Sequence, residues 1–214
     1  MTLASFAAGL FDGFFGGDAK ARTSAAVKAV EACTSAEIVV AARRSSGNYR
    51  AADYHAGFVL MGVLVAYMLV SPTVFTLGTI ALEGVCAFAI GAFLSAKVSV
   101  VRRWLVRKST LADNVLRAGR AAFYELGISN TSGRNGILVF VSAFERTCVI
   151  VPDLGIRPDQ LGAEYRLACD RLERATYQLD FNAFVIALEQ LGPVLGKAMP
   201  RREDDINELP DEVQ

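Results

Sequence analysis

AGFVLMGVLVAYMLVSPTVFTLGTIALEGVCAFAIGAFLSA, residues 56–96, carries a single charged side chain, Glu83. A spanning helix needs roughly 20 apolar residues to cross a hydrocarbon core of about 30 Å, and this stretch holds two such lengths. Ser71-Pro72 and the threonines around it divide the run where a turn belongs. The reading is a transmembrane helical hairpin over residues 55–97. It runs outward from about Ala56, turns between Ser71 and Gly78, and returns to about Ala96.

The flanks of this stretch give it a direction. Arg43, Arg44 and Arg50 precede it, Lys97, Arg102, Arg103, Arg107 and Lys108 follow it, and no cation lies at the tip. Basic residues beside spanning segments stay on the cytoplasmic side. Two spans in the inner membrane are therefore expected, with both termini cytoplasmic and the lipid bilayer as a partner. Over the whole chain 22 basic residues balance 22 acidic ones, so nothing points to nucleic acid. The 53% apolar content and positive mean hydropathy fit a small water-soluble core plus two spans.

Within the hairpin, Glu83 is a functional candidate because an ionisable group in a span is costly. Counted from the tip, it lies at the depth of Tyr67, within reach of a hydrogen bond. Glu83, Ala87, Gly91 and Ser95 recur every fourth residue and form one helix face. Small residues at that spacing let helices approach closely. The ridge is expected to pack within the hairpin or between two copies of a homo-oligomer.

Outward from the hairpin the chain reads as one discontinuous α/β domain, residues 18–54 plus 98–199. Residues 1–17 are an apolar N-terminal segment, read as a short interfacial helix or as packing on the protein's own surface. Asp18 is placed as the N-cap of a helix to about Cys33, followed by a buried strand over Glu37–Ala42. A long helix is expected from Ser99 to Leu126, with Trp104 and its neighbouring arginines at the headgroup level, closed by Gly127. Ile137–Val141 and Thr147–Val151 read as a β-hairpin. Helices follow around Leu161–Leu172 and over Phe181–Met199, the last bent at Gly192-Pro193. The tail, 200–214, is acidic and expected to be disordered. Cys33, Cys86, Cys148 and Cys169 lack ligand spacing, and with His55 the sole histidine they read as reduced thiols.

The order of these pieces resembles the TPM domain family, the α/β domain of a thylakoid-lumen repair protein and of many bacterial membrane-associated proteins. Thr34-Ser35-Ala36-Glu37-Ile38-Val39-Val40 looks like its TSGEI-type first strand. Thr131 with Arg134-Asn135-Gly136-Ile137-Leu138 looks like its T-x-x-x-NG-(V/I)-L segment. Phe144-Glu145-Arg146 and the VIVPDLGI run 149–156 look like its turn, third strand and D-x-G-I exit. Asn207-Glu208-Leu209-Pro210-Asp211 resembles a membrane-embedded bacterial subgroup with a two-helix insertion. The resemblance implies a small mixed sheet of about three to four strands flanked by helices.

It also directs attention to acids. Some relatives are acid phosphatases and some bind divalent cations, so Glu37, Asp153 and Asp159 are candidates. The sequence has no P-loop and no paired-Asp phosphatase motif. Gly133-Arg134-Asn135-Gly136 reads first as a glycine turn. Alternatively its amides and guanidinium hold an anion. Asp153 reads as a turn or helix cap, or as a ligand for calcium or magnesium. Glu37, Arg134 and Asp153 are thus the candidate ligand-binding residues, with Asp153 the candidate metal ligand. Three functions follow in order: a non-catalytic interaction or maintenance module held at the membrane, a phosphatase-type hydrolase, and a cation-responsive binding domain.

Overall fold

The structure, a computed structural model, describes Phe14, residues 16–201, Glu208 and Leu209. Contacts divide the chain into two units, with boundaries at 46/47 and 111/112. The sequence reading placed those boundaries at 54 and 98, so the basic stretch after the hairpin belongs with the hairpin.

The α/β unit is built on a three-stranded mixed sheet. β1 (Glu37–Arg43) pairs in parallel with β2 (Gly136–Ser142), and β2 pairs antiparallel with β3 (Thr147–Pro152), in the order β1-β2-β3. β1 and β2 read as nearly unbroken apolar runs because both faces are covered. Ile38, Val40, Ile137, Val139 and Val141 point into one core and Val39, Ala41, Leu138 and Phe140 into the other, the alternation a strand imposes. Helix α1 (Gly17–Glu31) and three C-terminal helices cover the first face. On the second face, Val115, Ala122 and Phe123 come from the helix Lys108–Glu125. Ile38 N–H on the outer edge of β1 donates to the Glu31 carboxylate at 3.0 Å, which blunts that edge.

The hairpin unit contains α2 (Arg50–Val70) and α3 (Leu77–Lys97), 21 residues each. At 1.5 Å per residue each is about 31 Å long. Both are long and apolar enough to cross a membrane, and they are mostly unburied, unlike the core helix of a soluble protein. The tip lies where Ser71-Pro72 placed it. Thr76 caps α3 by accepting from Thr79 N–H at 3.2 Å.

The long helix expected from Ser99 to Leu126 is two helices, α4 (Ser99–Leu105) and α5 (Lys108–Glu125). Val106 between them is extended, at φ −94° and ψ 137°. A continuous helix would stack Arg103 on Arg107 at i,i+4, a repulsive pair, and β-branched Val106 tolerates the extended backbone. Gly127 closes α5 in the left-handed region, as read from sequence.

The C-terminal helices are α6 (Gly162–Gln178), α7 (Phe181–Glu189) and α8 (Leu191–Ala198). The expected single helix over Phe181–Met199 thus breaks at Gln190. Pro193 lacks an N–H and its ring would strike the carbonyl four residues back, so the break falls upstream of the proline. Asp18 is not the N-cap of α1. It sits in the first turn behind Gly16, where its charge suits the helix dipole.

Most of residues 1–17 lie outside the described residues. Phe14 is buried edge-to-face against Phe181 and Phe184, with ring centroids 5.4 and 5.3 Å apart. For that residue, packing on the protein itself is the correct alternative. In the tail, residues 202–207 and 210–214 lie outside the description. Pro200 bridges to Thr34, and Glu208 accepts from Ser132 N–H at 2.9 Å and from its hydroxyl, while Leu209 packs against the second core. At these positions the expectation of a disordered tail is corrected. Those hydrogen bonds hold the Glu208 carboxyl below its ordinary range.

Candidate functional site

One end of the sheet gathers the residues that the sequence singled out. β1 and β2 begin there, Glu37 opposite Gly136, and β3 ends there, Pro152 opposite Ile137. The loop before β2 folds over this end. A short 3-10 turn, Ile128–Asn130, leads to a turn closed by Arg134 N–H on the Thr131 carbonyl at 3.1 Å. Arg134 takes a left-handed φ of 50°, which turns its side chain back towards the exit from β3. There its guanidinium pairs with Asp153 Oδ1 at 3.1 Å and donates to the Ser129 carbonyl.

Asp153 is held from both sides. Its N–H donates to the Gly136 carbonyl at 2.9 Å, and its Oδ1 accepts from Leu154 N–H at 2.7 Å. Gly155 N–H donates to the Arg134 carbonyl at 2.9 Å. A Cβ at Gly155 would lie 2.5 Å from that carbonyl oxygen and 2.8 Å from the Gly133 oxygen. The glycine of the Asp-x-Gly exit is therefore required for close approach of the two loops. The Asn135 amide donates to the Ser35 carbonyl, and Glu37 N–H donates to the Asn135 carbonyl at 3.2 Å.

Arg134 and Asp153 are thus brought together, and Glu37, buried, shares their end of the sheet. Asp159 lies six residues beyond Asp153, and among the described residues it has no recorded side-chain partner. Two residues that were quoted only as motif matches prove to be part of the site: Thr131, buried, and Asn135, half-buried. Among the described residues, Thr131 Oγ1, Asn135 Oδ1 and Asp153 Oδ2 are buried oxygens without a hydrogen-bond partner. Buried polar atoms are ordinarily satisfied, so among these residues this end of the sheet has acceptors to offer. Among the described residues no three His, Cys, Asp or Glu side chains are grouped as a metal-ligand set. Any hard cation here would compete with Arg134 for Asp153.

The opposite end of the sheet holds a buried polar network around Glu145, which the sequence marked only as part of a turn. Glu145 accepts from Ser46 N–H at 2.8 Å, from the Ser45 hydroxyl at 3.3 Å and from the Ser142 hydroxyl at 2.5 Å. It ties the exit of β1 to the β2–β3 turn. Near it an open groove of 490 Å³ is lined by Arg146, Thr147, Cys148, Glu173, Arg174 and Tyr177, among others. Burial, and then the nearby Asp170, push the Glu173 carboxyl up; burial pushes the Cys148 thiol far up. β3 separates this groove from Asp153 by about 20 Å, so they are different places.

In the hairpin unit, α2 and α3 meet through Gly84, Ala87, Gly91 and Ser95, all buried. Ala87 and Gly91 lie on this face. Glu83 does not: it is exposed, one position off the ridge, and Gly84 stands there instead. Tyr67 is also turned outward, 64% exposed, and the two share no hydrogen bond among the described residues. The carboxylate that does pack is Asp53, near the start of α2. It is buried and accepts from Arg102 Nε at 2.9 Å, from an Arg102 terminal nitrogen at 2.7 Å and from Ser95 Oγ at 2.9 Å. This triad joins α2, α3 and α4 at the hairpin's open end.

No protein-family model matches the sequence, and no curated protein matches it. Among solved structures, the chain is similar to the NMR structure of BA42 protein from the psychrophilic bacterium Bizionia argentinensis. The TM-score is 0.52 at 19% identity, over 91% of this chain and 90% of that one. At this identity the likeness is one of fold.

Proposed function

We propose that this chain is a membrane-anchored, TPM-like α/β module that works by interaction and not by catalysis. In this reading the hairpin spans the inner membrane twice and both termini are cytoplasmic. The α/β unit is tethered there to bind a protein partner, or a second copy, in membrane-protein maintenance. One observation carries the reading: two exposed apolar helices of spanning length sit inside the β1–β2 crossover. Both ends of such an insertion must return to one sheet, which requires an even number of crossings. The basic flanks support a cytoplasmic location for those ends. Reporter fusions at Val74 and after Gln214 test this. A periplasmic tip and a cytoplasmic C-terminus are expected, with the protein retained in carbonate-washed membranes. A periplasmic C-terminus would overturn the reading.

The buried acceptors that have no partner among the described residues at Asp153's end of the sheet favour a second reading, a divalent-cation response. Calcium or magnesium at about a hundredfold excess over its Kd would stabilise the unit by about 2.7 kcal/mol. For a chain of this size that is roughly 5–10 °C in Tm. Asp153→Ala should abolish the shift. Arg134→Ala breaks the same ion pair but keeps the carboxylate, so it should retain or enlarge the shift. A shift of equal size in Asp153→Ala would exclude this site. Phosphate-ester turnover by the purified protein, lost in Asp153→Ala, would instead favour a hydrolase.

A further inference from the structure

α4 is a helix with no buried residue. Trp104 is 83% exposed, Val100 57% and Val101 40%. At 100° per residue these three side chains fall within about 100° of arc, so they form one apolar stripe. Arg102 projects from the opposite side, where the Asp53 carboxylate grips it through two nitrogens. The grip fixes the rotation of α4 about its own axis, and so fixes the stripe outward. A single residue, Val98, separates α4 from Lys97, the last residue of α3. The stripe therefore emerges directly from the open end of the apolar hairpin. From Lys97 to Ala112 the chain has Lys97, Arg102, Arg103, Arg107 and Lys108 and no acid; Arg107 and Lys108 are exposed.

We propose that this face of α4 docks on an anionic phospholipid surface. Trp104, Val100 and Val101 enter the boundary between headgroups and acyl chains, and Arg107 and Lys108 meet lipid phosphates. Asp53 and Ser95 act as positioning residues that hold Arg102 away from the lipid. The proposal rests on the membrane-spanning reading of α2 and α3. Three properties commit it to lipid in place of a protein groove: continuity with two apolar helices, an acid-free cationic flank, and an indole beside it. Amphipathic rings prefer the interface, and each basic side chain adds attraction to an anionic leaflet.

Trp104 is the only tryptophan of the chain, so its fluorescence reports this face alone. The full chain is reconstituted in phosphatidylcholine vesicles with and without phosphatidylglycerol. Lipids brominated near the headgroup or near the chain end serve as depth quenchers, and acrylamide as the aqueous quencher. We expect stronger quenching by the shallow bromines. We also expect acrylamide quenching to fall about twofold or more as phosphatidylglycerol is added, with that fall lost in Arg107→Glu/Lys108→Glu. Free access to acrylamide with no bromolipid quenching overturns the proposal, as does quenching that ignores lipid charge. Carbonate extraction of the same vesicles separates the two readings. A protein that is retained but keeps Trp104 in water refutes docking and leaves the spans standing; a protein that washes off refutes the spans.

Discussion

Gly91→Leu should drive α2 and α3 apart. A Cβ at Gly91 would lie 2.8 Å from the Ala56 carbonyl oxygen, 3.0 Å from Gly57 Cα and 3.1 Å from Leu60 Cβ. Across the seam, a Cβ at Gly57 would lie 2.7 Å from the Phe88 ring and 2.8 Å from the Phe88 carbonyl oxygen. Backbone cannot step aside as the end of a flexible side chain can. In a bilayer no hydrophobic force pulls two apolar helices together, so close packing must hold them. Overpacking ordinarily costs about 1–3 kcal/mol, and leucine against backbone should reach the top of that range. Gly91→Ala should cost less. Gly62→Leu is the matched control, because a Cβ there meets nothing within 4 Å. Thermal melting and protease susceptibility in detergent would report the change. Gly91→Leu melting with the parent and with Gly62→Leu would refute the packing account.

Arg102→Met should be nearly as costly, for an electrostatic reason. It strips the buried Asp53 carboxylate of two charge-assisted hydrogen bonds and leaves it only the Ser95 hydroxyl. Removing one partner of a buried pair costs about 3–5 kcal/mol. Arg102 is about a quarter exposed, which puts the expected loss near the lower end, about 3 kcal/mol. Replacing both partners, Asp53→Leu with Arg102→Met, should recover most of it, since no orphan charge remains. A double-mutant cycle in detergent measures the coupling. Additive losses would mean that the pair carries no stability of its own. The single variant should also free α4 to rotate, which Trp104 emission would register.

How much of this was legible in the sequence depended on the range of the interaction. The hairpin was legible because the chain is apolar over two spanning lengths, and Ser71-Pro72 marks its turn. β1 and β2 were legible because strands covered on both faces are nearly all apolar, and β3, half-buried, because its β-branched run follows a short turn. The ridge on α3 was misread by one residue. Glu83-Ala87-Gly91-Ser95 and Gly84-Ala87-Gly91-Ser95 are nearly equivalent helical patterns, and only the partner helix selects glycine over glutamate. Val106 was hidden inside a helical pattern because no glycine or proline between Ser99 and Ala112 marks the break. At the candidate site, Asp153 and Arg134 could be named from motifs, but their pairing depends on one left-handed turn. Asp53 and Arg102 lie 49 residues apart, and no local pattern links a carboxylate at the start of one helix to an arginine two helices later.

The parallel pairing of β1 with β2 also sets a schedule for biosynthesis. Ser35 and Asn135, which meet at the head of the two strands, are 100 residues apart. At about 5–20 residues per second, translation needs roughly 5–20 s to supply the second strand after the first. Throughout that interval EIVVAA, residues 37–42, has left the ribosome without its hydrogen-bonding neighbour while the two apolar helices are being made. An apolar β-branched segment in that state is an aggregation hazard. Slowing synthesis between the two strands should therefore harm the α/β unit first, as insoluble or chaperone-bound nascent chains.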